Sequence, residues 1–451
     1  MIDEYYKPDF LQIYHIGKAA VDKKSIDRII QKKTSVLKVS SNKSDVFIDS
    51  LPNGMKIILK KVTGKPTLGI SLTSEVSQLN EDLHQLGLNL LTSALLLYGN
   101  EKRNYEQLLN YSNENGIQIG ISPKSETTSI NINCFKERLN IALELLSDVI
   151  LTPTFPRNHL ENLKQTNLSN FNRIKDYPQY YASRLWKEMI FNKKSNLISS
   201  FGTNETVRKF TQKKVSEWYK RYYNYTDMTL SIVGDFDLEL ILNTCRALFP
   251  PADKLNGRRE QIPIYQPGAS RYKKHRRGLN QCYINIGGFG CNALEIEKNT
   301  AFHVLAQMIG GDMNSLLFTE IREKLGLAYS VEFEFRSFRS LGYFLITAIV
   351  DKKKEKQAVE SIISVLDNIK MNGISAYELT KTKNFIRGQR LMDEESMLSR
   401  AQTLSVLQTL GFSYDYYLQR NERLENVSID QIHQIAAEYF DPENYFIHTL
   451  T

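Results

Sequence analysis

The chain has 451 residues, 41% of them hydrophobic, which is enough for more than one core, since a single core usually splits beyond about 250 to 300 residues. Its net charge of +8 is spread along the sequence; the densest basic run, 271–277, carries no recognition motif and is expected to be a solvated linker, so nucleic acid is not an expected partner. Four cysteines (Cys134, Cys245, Cys282, Cys291) form no C-x-x-C pair, which suits a reducing compartment, and the seven histidines include no two within five positions, which excludes a local His-x3-His zinc site.

Residues 1–44 precede the first regular element, as an N-terminal extension. They open without the basic and apolar regions of a signal peptide, and 16–37 is expected to form a basic helix that docks or caps. The longest apolar stretches, such as 86–98, are far short of the roughly 20 residues that cross a bilayer, so no membrane span and a cytoplasmic location are expected. That stretch reads as a helix ended by Gly99, and a second helix leads from 105–109 to Asn115 and Gly116. Strands follow at 117–121 and 127–134. An amphipathic helix over 137–151 places Leu139, Ala142, Leu143 and Leu146 on one face, and a helix over 214–223 runs into a strand at 227–234.

The same order then repeats. An apolar helix over 302–309 ends at Gly310, the next leads from 317–321 to Leu325 and Gly326, and strands follow at 328–335 and 343–350. A helix over 356–369 places Val359, Ile362, Ile363 and Leu366 on one face, and a helix over 430–440 runs into 444–448. Gly116 and Gly326 sit where a left-handed C-cap would end a helix and admit a strand. Helix, strand, strand, helix, helix, strand without βαβ alternation predicts an α+β fold: two homologous domains, each a largely antiparallel sheet with helices packed on it. The expected boundaries are 45–255 for the first domain, 256–278 for a linker rich in Pro, Gly and basic residues, and 279–451 for the second.

The segment 87–99 keeps the frame of G-L-A-H-x-x-E-H-x-L-x-x-G at Gly87, Leu88, Leu96 and Gly99, while Leu90, Ser93 and Ala94 stand at the His, Glu and His positions. With the opening Leu51-Pro52-Asn53-Gly54-Met55, this helix resembles the pitrilysin, insulinase and mitochondrial processing peptidase family. The run 168–178 is similar to the family segment that carries the third zinc ligand, a Glu before D-x-P; that position falls on Asn170 at the family's spacing from Ala94. The end of the first family domain is matched at 210–235 and the second-domain signature at 310–318 and 322–330, so the likeness covers nearly all of 45–451.

The resemblance implies a pitrilysin-like duplication whose first domain has a degenerate zinc motif. Such a zinc needs two imidazoles, a carboxylate and a separate Glu as base, so this chain alone is not expected to bind metal or to hydrolyse peptides by the family mechanism. In related peptidases an Arg and a Tyr seven residues apart reach the substrate from the second domain, and those positions are Arg322 and Tyr329. The resemblance therefore implies the non-catalytic subunit of a heterodimer, binding an unfolded peptide and completing the site of a zinc-bearing partner with an intact H-x-x-E-H motif. General oligopeptide turnover and removal of a leader from a ribosomally made modified peptide both suit it. The alternative is a structural or peptide-binding scaffold with no part in catalysis, in which Arg322 pairs with Glu320 or Glu323 and Tyr329 caps the core. The strand at 117–121 is a candidate sheet edge for adding a peptide.

Overall fold

The computed structural model describes residues 45–193, 195–251, 268 and 270–451. The N-terminal extension and most of the expected linker lie outside the described residues.

The first half builds strands β1 (Val46–Ser50), β2 (Lys56–Lys61), β3 (Thr67–Ser74), β4 (Gln118–Pro123), β5 (Thr128–Phe135) and β6 (Thr229–Gly234). They form one six-stranded sheet in the order β1-β2-β6-β3-β5-β4, antiparallel at every step except β2 with β6. Helices α1 (Leu88–Leu95), α2 (Tyr105–Glu114), α3 (Leu139–Leu151), α4 (Arg157–Arg173), α5 (Pro178–Ile190), α6 (Asn204–Arg208), α7 (Gln212–Tyr222) and α8 (Leu238–Leu248) complete this half. The expected apolar face of α3 is realised: Leu139, Ala142, Leu143 and Leu146 are buried in one core with Leu91 and Leu95 of α1, Trp218 of α7 and the alternate strand residues Ile57, Leu59, Ile70 and Ile132.

The second half repeats the scheme with strands β7 (Tyr272–His275), β8 (Gln281–Gly290), β9 (Ala328–Ser337), β10 (Gly342–Asp351) and β11 (Phe446–Leu450), in the order β7-β11-β8-β10-β9. Its helices are α9 (Ile296–Gly310), α10 (Glu355–Asn372), α11 (Ala376–Asp393), α12 (Met397–Thr409), α13 (Tyr414–Leu418), α14 (Arg420–Glu425) and α15 (Ile429–Tyr439), and its core joins Phe302, Phe333, Phe344 and Phe440 to Ile362 and Leu366 of α10. Local chemistry sets the helix starts alike in both halves: Asn104 with Gln107 opens α2 and Ser428 with Gln431 opens α15, each pair a reciprocal capping box. The basic run expected as linker is partly a strand instead. Residues 272–275 pair in parallel with β11, so the second sheet begins inside the stretch 256–278, and exposed lysines on its edge discourage further pairing.

Each half also lends a helix to the other, an exchange that local periodicity does not announce. Helix α12, from the second half, lies on the opposite face of the first sheet, against Ile58 and Val233, where Ser405 Oγ lies 2.7 Å from Thr73 Oγ1 and 2.9 Å from Ser71 Oγ. Contact is close enough that a Cβ on Gly69 would lie 2.3 Å from the Leu398 backbone nitrogen. In return α5 lies on the second sheet, where Trp186 Nε1 donates to the Phe446 carbonyl at 2.8 Å and Ser183 Oγ donates to Asn285 Oδ1 at 3.2 Å. Both sheets are therefore covered on two faces, and the halves interlock. Among the described residues no helix is long and apolar enough to cross a membrane.

Candidate functional site

The degenerate motif occupies helix α1. The Glu81 carboxylate caps its start, accepting from the backbone N–H groups of Gly87 at 2.9 Å and Asn89 at 2.6 Å. Glu81 is 4% exposed, and the loss of water pushes its carboxyl up to about 8 despite those donors. Leu90 and Ala94, one turn apart, are half-buried, and Ser93 is buried with its hydroxyl donating to the Leu90 carbonyl at 3.0 Å. Asn89 Nδ2 donates to Thr128 Oγ1 at 3.1 Å while Asn89 Oδ1 accepts from the Tyr223 hydroxyl at 2.8 Å. Burial holds that phenol well above its usual range, so it stays protonated as a donor. Asn170 is half-buried on α4, which packs against α1.

Chemically this arrangement does not fit a zinc ion. Leu90 and Ala94 have no lone pair, Asn170 offers a neutral amide, and the Ser93 hydroxyl is tied to the helix backbone where a general base would be needed. Among the described residues no group of three or more His, Cys, Asp or Glu is placed to hold a metal. Glu81 and the Asn89–Tyr223–Thr128 network were not singled out from the sequence. An acidic residue just before a helix was the available signal, but Asp82 stands beside it and only the fold distinguishes the two.

Arg322 and Tyr329 lie in the second half. The chain there forms a π-helical turn, Phe318–Lys324, closed at Gly326, whose φ of +56° is the left-handed value expected from its place before a strand. Arg322 is exposed and stacks over the Phe318 ring, 4.8 Å from its centroid, whereas Glu320 accepts from Lys324 at 2.8 Å. Lys324 thus takes Glu320, one of the two carboxylates, with Glu323, that the local alternative offered to Arg322. Tyr329 is the second residue of β9, the edge strand of its sheet, and is 59% exposed. The register runs from Ser330 opposite Ile349 to Ala328 opposite Val350, which leaves Tyr329 as the extra residue of a β-bulge. A bulge interrupts the alternation of the strand and re-aims one side chain, and here that side chain is a phenol free of the core. The strand expected at 117–121 is β4, the edge of the first sheet.

The fold defines a two-domain peptidase-like protein whose helix at the zinc-motif position carries Leu90, Ser93 and Ala94 in place of the ligands and base. The family model described as Insulinase (Peptidase family M16) matches residues 56–203, and that described as Peptidase M16 inactive domain matches residues 209–386. The chain belongs to peptidase family M16, the insulinase family. It is 22% identical over 404 residues to an "uncharacterized zinc protease" of Rickettsia felis, with 88% of this chain and 96% of that protein covered. It is 20% identical over 364 residues to the "non-peptidase homolog YmxG" of Helicobacter pylori, with 79% of this chain and 83% of that protein covered. The crystal structure of a peptidase M16 inactive domain from Pseudomonas fluorescens superposes with a TM-score of 0.80 at 18% identity, covering 90% of this chain and 97% of that one. A protease structure from Helicobacter pylori superposes equally well, with a TM-score of 0.80 at 15% identity, covering 90% and 99%.

Proposed function

We propose that this chain is the non-catalytic subunit of a heterodimeric zinc metallopeptidase, binding an unfolded peptide and completing its partner's active site. The observation that carries the proposal is the contrast between the two halves. Helix α1 carries none of the donors a zinc site needs, while Arg322 on the π-turn and Tyr329 on the bulge are both exposed. The partner, with H-x-x-E-H intact, supplies the zinc and the water it activates. From this chain the Arg322 guanidinium would hold backbone carbonyls of the peptide, and the Tyr329 hydroxyl would donate to the oxygen that gains charge as the carbonyl is attacked. The edge of β4 offers backbone hydrogen bonds to an extended peptide with little sequence preference, which suits turnover of oligopeptides or removal of a leader. The naming of a Helicobacter pylori relative as a non-peptidase homologue agrees with a chain that is inactive alone.

The test is co-expression with a family member that keeps the intact motif, preferably one encoded beside this chain. Cleavage of a quenched peptide is expected from the pair and not from this chain alone. Arg322→Ala and Tyr329→Phe should each lower kcat/KM of the pair by about 100-fold, the scale of one oxyanion donor, while leaving stability within about 0.5 kcal/mol because both side chains are exposed. Unchanged activity in both variants would leave a scaffold role only.

A further inference from the structure

A second polar site lies away from the degenerate motif, in a cavity of about 330 Å³ between α9, α11, α12 and α14. Four guanidiniums line it: Arg390 from α11, Arg400 from α12, and Arg420 and Arg423 from α14, all half-buried. Two carboxylates share the wall, Asp393 and Glu394. Glu394 is taken up by Arg420, which pairs with it and stacks on the Tyr417 ring at 3.8 Å. Among the described residues Arg390, Arg400 and Arg423 form no ion pair. Each is instead anchored by a backbone carbonyl: Arg390 Nη1 donates to Arg420 O at 2.8 Å, Arg400 Nε to Glu394 O, and Arg423 Nη2 to Tyr416 O. These carbonyls, with Asn421 Oδ1 3.4 Å from Arg390 Nη1 and the Tyr416 ring 3.8 Å from Arg423, fix the guanidiniums and leave other donors of each fork uncommitted. Burial and the nearby charges of Arg420 and Arg423 hold the Arg390 guanidinium below its ordinary range, outweighing the opposing pull of Glu394.

We propose that this cavity binds a small, multiply charged phosphate-bearing anion. Guanidinium forks match phosphate oxygens in pairs, and the Ser399 hydroxyl on the same wall adds a donor for a further oxygen, whereas the Thr403 hydroxyl is committed to the Ser399 carbonyl at 2.9 Å. The volume stands at the low end of small-ligand sites, room for two or three linked phosphates and too little for a folded segment. The ligand would also sit on an interlock of the fold. Arg400 belongs to the helix that covers the first half's sheet, whereas Arg390, Arg420 and Arg423 sit on helices of the second half, so an anion bound by all of them ties α12 to its own half.

Titration calorimetry with inorganic diphosphate, inorganic triphosphate and adenosine triphosphate, each at matched ionic strength, tests the proposal on the full chain. Saturable binding of triphosphate is expected, weakened about tenfold or more by Arg400→Gln and by Arg423→Gln. Equal affinity for the inorganic and nucleoside triphosphates would identify the phosphates as the whole determinant, and tighter nucleoside binding would add a base contact; either outcome supports the site. Arg400→Lys keeps the charge and loses the fork, so it separates geometry from net charge if the Gln variants fold poorly. Hydrogen exchange on the unaltered protein is expected to slow in 397–409 and 420–425 when triphosphate is added. No binding at millimolar triphosphate, or binding that survives Arg390→Gln together with Arg423→Gln, or protection that spares those two segments, would overturn it.

Discussion

Glu81 shows how a single residue can set the behaviour of a helix without touching any substrate. Its carboxyl is raised to about 8 by burial, so the folded state holds its proton more tightly than the unfolded chain does. The sign follows: its favourable contribution is complete below the ordinary carboxylate range and is lost as pH rises toward about 8. The expected slope for one such group is about 1.4 kcal/mol per pH unit at most. Urea unfolding of Glu81→Gln and the unaltered chain at pH 5, 6.5 and 8 should show the difference moving in favour of the variant as pH rises. Parallel curves would mean that the N–H donors of Gly87 and Asn89 keep the carboxylate ionised throughout. Asn89 is the second residue of this kind, since it satisfies the buried Tyr223 hydroxyl and Thr128 together. Asn89→Ala removes the acceptor of that phenol and should cost about 1–3 kcal/mol in chemical denaturation, toward the lower end where Thr128 and Ser93 beside it take over the hydroxyl. Both residues lay hidden in the sequence because a buried polar group is defined by its partners: for Glu81 the backbone N–H groups of Gly87 and Asn89, and for Asn89 Thr128 of β5 and Tyr223 just after α7.

At the scale of elements, alternation made β4, β5, β9 and β10 legible, and the 3.6-residue stripe made α3 and α10 legible. One face of β3 shows a local pattern overridden by packing. Gly69, Ser71 and Thr73 alternate with Leu68, Ile70 and Leu72, a pattern that ordinarily marks a half-solvated strand, yet Ser71 and Thr73 are fully buried. Small and polar residues are needed there because α12 lies directly on the sheet and hydrogen-bonds to it. Gly69→Ala is therefore expected to destabilise the protein by about 2–4 kcal/mol, since its Cβ meets the Leu398 backbone at 2.3 Å and backbone cannot rotate aside. A thermal melt checks this, and a shift of less than about 1 °C would show that α12 moves away at little cost.

For the whole molecule, the exchange of α5 and α12 predicts that the halves unfold together. Removing either half uncovers a face of the other's sheet, including Ile58, Val233, Tyr343 and Phe446, so partial unfolding exposes apolar surface that water disfavours. The two tryptophans report on different halves: Trp218 sits in the first core and Trp186 on the second sheet. Fluorescence of Trp186→Phe and Trp218→Phe variants in urea should give coincident midpoints with the far-ultraviolet circular dichroism. Midpoints separated by more than about 0.5 M would show that each half folds alone.

The sequence by itself determined the duplication, the α+β class, the family likeness and the loss of zinc donors at Leu90, Ala94 and Asn170, because these are properties of residue type, spacing and local periodicity. Only the tertiary structure decided which helices cross to the other half, that the basic run at 272–275 is a strand, that Glu81 caps α1, and that Tyr329 stands on a bulge. It also gathered Arg390, Arg400, Arg420 and Arg423 from three helices into one cavity. Burial and proximity are set by packing between segments far apart in the chain, and no local pattern encodes which segment will arrive.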